Sequence, residues 1–169
     1  VCSSDLEEIG MRGSGNDENK RVALLWDEDA EMVTVNPPNV QEGSYGYPFG
    51  SIADQLEDPG SLLSYYKDAV ALRNTFPALT RGVTEQYGAI LDKRVMAVTR
   101  SWEGDGDYPA EDLLILVNFS DEPVQVELAE EDRSGYEAAG VLQVGTERPV
   151  FDVGVVDLPP YGVLILRTG

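Results

Sequence analysis

Histidine is missing from all 169 residues. That absence removes His-based triads, most zinc sites and the commonest general base at neutral pH, leaving carboxylates, tyrosine and lysine for acid and base work. Cysteine occurs once, at Cys2, so no internal disulfide can form and pairing gives no reading of redox compartment. No apolar run approaches the roughly 18 residues of a membrane span. Positive charge is scarce: 12 Lys and Arg stand against 31 Asp and Glu, for a net charge of -19. Such a surface repels nucleic acid and anionic lipid, and it reads as the solvated coat of a secreted or salt-exposed protein rather than an acidic recognition patch.

What is present divides the chain in two. The stretch from Asp58 to Leu79, DPGSLLSYYKDAVALRNTFPAL, is the one clear helix. Asp58 is placed to cap its first amides, Pro59 falls at the first helical position, and Pro77 stops the run just beyond Phe76, giving a helix over 58-76. Leu62, Tyr66, Ala69 and Phe76 share one face, widened by Leu63, Val70 and Leu72, while Ser64, Lys67, Asp68 and Asn74 point elsewhere. An apolar stripe of that width needs a partner layer.

Before the helix no regular element fits well. Residues 1-6, VCSSDL, lack the charged leader and apolar core of a signal peptide. They match one reading frame of a common sequencing-adapter oligonucleotide, and are read as non-native sequence. Glu7 to Trp26, EEIGMRGSGNDENKRVALLW, is glycine-rich and charged. A phosphate loop is excluded, because the glycine-to-lysine spacing is wrong and no Ser or Thr follows Lys20. Asp27, Glu28 and Asp29 read as a solvated turn. Val33 to Gly50 carries Tyr45, Tyr47 and Phe49 among prolines; such rings either stack on sugar faces in a cleft or pack the loop on its scaffold. About 50 residues this poor in core cannot offset the roughly 1 to 2 kcal/mol per residue of backbone ordering, so they belong to a larger body.

After Gly82 the pattern becomes alternating. Seven short runs, 86-91, 94-102, 113-119, 124-128, 139-144, 153-158 and 162-167, are separated by turn-rich segments such as GDGDYPAED and LPPYG. This predicts an antiparallel, Greek-key β-sandwich with its own core. Glu103, Asp105, Asp107, Glu111 and Asp112 crowd one hairpin connection; an EF-hand's terminal Glu is missing, and the cluster reads as a solvated tip rather than a metal site. Asn118-Phe119-Ser120 matches a glycosylation sequon by chance at the end of an apolar strand.

Taken in order, these segments resemble the C-terminal part of the α-amylase family, glycoside hydrolase family 13. Glu7 to Met11, EEIGM, is similar to the end of the family's eighth barrel strand, YYGEEIGM, although SDL stands here in place of YYG. Asn19 to Trp26, NKRVALLW, is similar to the Arg-x-Pro-Met-x-Trp segment, with Ala23 and Leu24 replacing Pro-Met. Asp58 to Leu79 resembles the last barrel helix, and LLILVNFS and LPPYGVLILR resemble strands of the sandwich called domain C. The GSGNDENKR loop looks most like secreted or lipid-anchored bacterial α-amylases.

The resemblance implies a mixed fold: 7-81 as the C-terminal remnant of a catalytic (β/α)8 TIM barrel (strand end, loop, helix), then 82-169 as an all-β antiparallel Greek-key sandwich packing on that barrel. It implies retaining chemistry on α-1,4-glucans by an Asp nucleophile, a Glu acid/base and a second Asp, all upstream of residue 7. The absence of histidine agrees, because the family's Asn-His-Asp motif cannot be present. No catalytic residue, metal site or cofactor is therefore expected in this chain, though the parent enzyme could bind calcium upstream. Glu7, Glu8 and Arg21 are the candidate substrate-binding residues, in the loop facing the cleft from strand eight; a purely structural ion pair is the alternative. The expected partner is an α-glucan, with an extracellular or cell-surface bacterial location or else a cytoplasmic one. A competing reading is a non-catalytic carbohydrate-binding module with Trp102, Trp26 and nearby Tyr as stacking platforms. A relative acting as an oligo-1,6-glucosidase or a transglycosylase is a third.

Overall fold

Antiparallel pairing organises the chain beyond residue 82, as the alternating pattern predicts. The computed structural model describes residues 7-28 and 36-169; residues 1-6 and the Asp29 end of the acidic run lie outside them. It falls into two units, one running to Lys67 and the other from Asp68.

The second unit contains β3 (Val83–Gln86), β4 (Val95–Trp102), β5 (Glu111–Asn118), β6 (Val124–Glu127), β7 (Tyr136–Leu142), β8 (Val150–Asp152), β9 (Val155–Leu158) and β10 (Val163–Thr168). They form a five-stranded sheet in the order β3-β4-β5-β10-β7 and a three-stranded sheet in the order β6-β9-β8, every pairing antiparallel. Strand β10 returns from the β8-β9 hairpin of the other sheet to lie beside β7, the return step of a Greek key. Between the sheets Leu114, Leu116, Leu164 and Leu166 meet Val124, Val126, Val156 and Leu158. Leu113 and Ile165 face the other way and bury against Phe76 and Ala78. β5 and β10 are thus covered on both faces, which is why LLILV and VLILR read as continuous apolar runs instead of alternating ones.

The structure corrects two details of the strand reading. The run at 86-91 is mostly turn, with Leu91 86% exposed, and its strand lies earlier, at β3. The single run at 153-158 is the second arm of the β8-β9 hairpin. Its turn places Val153 and Gly154 at positive φ, and a Cβ on Gly154 would meet the Arg133 side chain at 2.3 Å.

The helix expected over 58-76 is α2 (Leu62–Thr75), with an unforeseen α1 (Ile52–Glu57) before it and a short α3 (Pro77–Arg81) after it. Ser51 and Asp54 form a reciprocal capping box that starts a helix ahead of the expected one. Asp58 closes α1 rather than opening α2, and its carboxylate accepts from Gly60 N at 2.8 Å in a turn that holds Pro59. Ser61 takes the capping role for α2, accepting from Ser64 N at 3.1 Å. Phe76 is extended, as a residue before proline prefers, and Pro77 both ends α2 and begins α3. No side chain of α2 is buried, and Val70 is 54% exposed. Only Leu72, near its end, joins Phe76 in packing on the sheet.

Candidate functional site

The loops around the EEIGM segment are held by buried amides instead of a greasy core. Ile9 and Val22 are the only buried apolar side chains among the described residues of the first unit, against buried Asn19, Ser51, Gln55 and Ser61. Glu7–Ile9 forms a short 3-10 helix. Gly10 follows at φ 65°, where a Cβ would lie 2.3 Å from the Phe49 ring, so only glycine fits. Gln55 donates to Ile9 O at 3.1 Å and accepts from Leu63 N at 3.1 Å, tying this segment to α1 and α2.

Further along, β1 (Arg12–Gly13) pairs with β2 (Tyr45–Gly46). Asn19, in the 3-10 turn Asp17–Lys20, donates to Ser14 O at 2.8 Å and accepts from Gln41 N at 2.8 Å. Asn36 repeats the device, accepting from Ala23 N at 2.9 Å and donating to the Tyr45 hydroxyl at 3.2 Å. Leu25 and Trp26 offer their carbonyls to the first amides of α1, those of Ile52 at 2.8 Å and Ala53 at 2.9 Å.

Among the sequence-selected residues, Glu7 opens the 3-10 helix and Glu8 beside it is exposed. Arg21 pairs with Asp17 at 2.7 Å, both side chains more than 60% exposed. An i,i+4 pair so exposed contributes about 0 to 1 kcal/mol. No hydrogen bond or ion pair joins Glu8 to Arg21. The residues that shape this region, Asn19, Asn36 and Gln55, escaped the sequence reading, because an amide in a polar loop looks like any surface residue. The Ser51-x-x-Asp54 box was the one available signal.

Of the aromatic candidates, Tyr45 and Tyr47 pack edge to face, with centroids 6.2 Å apart. The Tyr47 hydroxyl donates to Ala23 O, and burial raises its pKa, with Tyr45 adding to the shift. These two rings pack the loop, whereas Trp26 and Phe49 remain 48% and 56% exposed. Trp102 is engaged: the Arg81 guanidinium lies 5.2 Å from its centroid and 5.4 Å from that of Tyr108. Asp105 ion-pairs with Arg81 at 2.8 Å and accepts from the amides of Asp107 and Tyr108. Glu111 caps α3 through Ala78 N at 2.9 Å. Among the described residues no three His, Cys, Asp or Glu side chains converge as a metal site requires. Asn118 of the sequon is fully buried, its amide donating to Glu122 O at 2.7 Å and Pro159 O at 3.0 Å while its oxygen accepts from Ser120 N and Oγ.

Among the described residues no helix is long and apolar enough to cross a membrane. No protein-family model matches the chain. It is 27% identical to "Alpha-amylase SusG" of Bacteroides thetaiotaomicron over 96% of its own length and 23% of that protein's. It is 30% identical to "Trehalose synthase" of Thermus thermophilus over 68% of its own length and 12% of the relative's. The solved structure of Eubacterium rectale Amy13B superposes with a TM-score of 0.84 at 31% identity, covering 96% of this chain and 30% of that one. The chain thus spans less than a third of the length of each. Its eight paired strands match the all-β C-terminal domain of these structures. With EEIGM, the Arg21 segment, the α2 sequence and the two sandwich strands in the family's order, the chain belongs to the α-amylase family, glycoside hydrolase family 13.

Proposed function

We propose that this chain is the C-terminal part of a retaining α-amylase-type glycosidase that cleaves α-1,4-glucans. On this reading, residues 7-81 are the eighth strand end, loop and helix of a (β/α)8 barrel, and 82-169 are the sandwich that packs on it. One observation carries the reading: the first unit buries only Ile9 and Val22 among its described apolar side chains, while the second has a complete core. Each buried Leu or Val contributes about 1.5 to 3 kcal/mol, so the first unit needs an apolar surface from elsewhere. The exposed Leu56 of α1 and Val70 of α2 are where the rest of a barrel would sit.

Glu8 and Arg21 then stand at the rim of the parent's cleft with Glu7, positioning substrate while the reacting carboxylates come from other strands. Because those carboxylates are not on this chain, it releases no reducing sugar from starch by itself. Release above a buffer blank by the purified chain overturns this assignment. The similarity to trehalose synthases favours a second reading, in which the parent transfers the glucosyl group to a sugar instead of water. Incubating the complete enzyme with maltose separates the two, since glucose accumulates in hydrolysis and a new disaccharide in transfer.

A further inference from the structure

Helix α1 is bonded to both stretches that carry the candidate substrate-binding residues. At its first turn the amides of Ile52 and Ala53 donate to Leu25 O at 2.8 Å and Trp26 O at 2.9 Å, in the segment that follows Arg21. One turn on, the Gln55 amide donates to Ile9 O at 3.1 Å, next to Glu8, while its oxygen accepts from Leu63 N in the first turn of α2. The helix is tied at both ends. The Ser51-Asp54 box closes its start, and the Gln55 carbonyl accepts from Ser61 Oγ at 2.6 Å near its end. The turn that Gln55 grips has little freedom on its other side, because a Cβ on Gly10 would meet the Phe49 ring at 2.3 Å and Leu62 Cδ2 at 3.0 Å.

Gln55 is 2% exposed in a unit whose only buried apolar side chains, among the described residues, are Ile9 and Val22. A leucine in its place would add apolar burial where that is scarce. The amide adds direction instead. With a donor aimed at the Ile9 carbonyl and an acceptor aimed at the Leu63 amide, it satisfies one placement of the two segments, and any slip leaves a buried polar group unpaired. The Glu8 side chain is exposed, so its place depends on the backbone that carries it. A binding group on such a turn needs support of this kind from a rigid element. We propose that Gln55 is a positioning residue for the glucan-binding rim: through α1 it fixes the Glu8 turn against the Arg21 segment, and it governs substrate affinity without touching substrate. The inference rests on the rim role proposed above for Glu8 and Arg21.

Steady-state kinetics of the complete enzyme on maltoheptaose tests it. Gln55→Met keeps the length of the side chain and removes both hydrogen bonds. KM should rise about tenfold while kcat stays within about twofold, the pattern of lost binding that ground state and transition state share. Glu8→Gln should raise KM as well, and the double variant should lose little more than the worse single one, because both changes remove the same contact. Where Gln55→Met does not fold, Phe49→Leu loosens the same turn from its other side at a position 56% exposed, and it carries the same comparison. A native KM in Gln55→Met, a loss confined to kcat, or full additivity with Glu8→Gln overturns the positioning role and leaves the rim reading in place. A native KM in Glu8→Gln overturns the rim reading itself, and the inference falls with it.

Discussion

Asn118 shows how one side chain can hold several turns. Its amide reaches Glu122 O after β5 and Leu158 and Pro159 O at the end of β9, and its oxygen fixes Ser120. Truncation leaves several of these groups buried and unpaired, each at about 1 to 3 kcal/mol, so Asn118→Ala should lose roughly 2 to 4 kcal/mol in urea unfolding. Its sequon is legible in the sequence, but its burial is not, and burial leaves the amide inaccessible to a glycan. Tyr87 is a second such post, donating to Asp132 at 2.6 Å and accepting from Ala129 N at 3.0 Å. Burial and the Asp132 hydrogen bond push its hydroxyl up to about 12. A pKa raised in the fold gives stability that is complete below the unfolded value near 10 and is lost as pH rises toward about 12. Thermal melts across that window should fall for the native chain, and Tyr87→Phe should flatten the Tyr87 share of the fall.

At the scale of elements, α2 was legible as helical sequence and misread at its ends, and α1 was missed. Asp58-Pro59 carries the signature of a helix start, yet Ser51 and Asp54 complete a capping box seven residues earlier, and Asp58 is spent on Gly60. A local signal loses to a better one nearby. Ser51→Ala should cost α1 about 1 kcal/mol, seen as about fivefold faster amide exchange over Ile52–Glu57. The hydroxyl of Ser51, then its amide, lowers the Asp54 pKa. The stabilisation is thus present above the unfolded carboxylate pKa and fades as pH falls through the lower folded value. Strands β5 and β10 were the most readable elements, because burial on both faces leaves no polar alternation to mistake. β3 was least readable: all four of its residues are exposed, so no pattern marks it.

For the whole molecule, composition and strand spacing sufficed to give the sandwich, and family motifs gave its relatives. The candidate site was legible only as a place. The EEIGM glycine is fixed by Phe49 packing, but Asn19, Asn36 and Gln55 act through contacts across 5 to 46 residues of sequence. No periodicity encodes those contacts. The central claim is that the second unit stands on its own core while the first lacks one. Hydrogen exchange of the intact chain, resolved by residue, tests it most directly. The account predicts global protection at Leu114, Leu116, Leu164 and Leu166, with exchange orders of magnitude faster across the described residues 7-28 and 36-57. Equal protection in both regions, lost together in one cooperative transition, would contradict it.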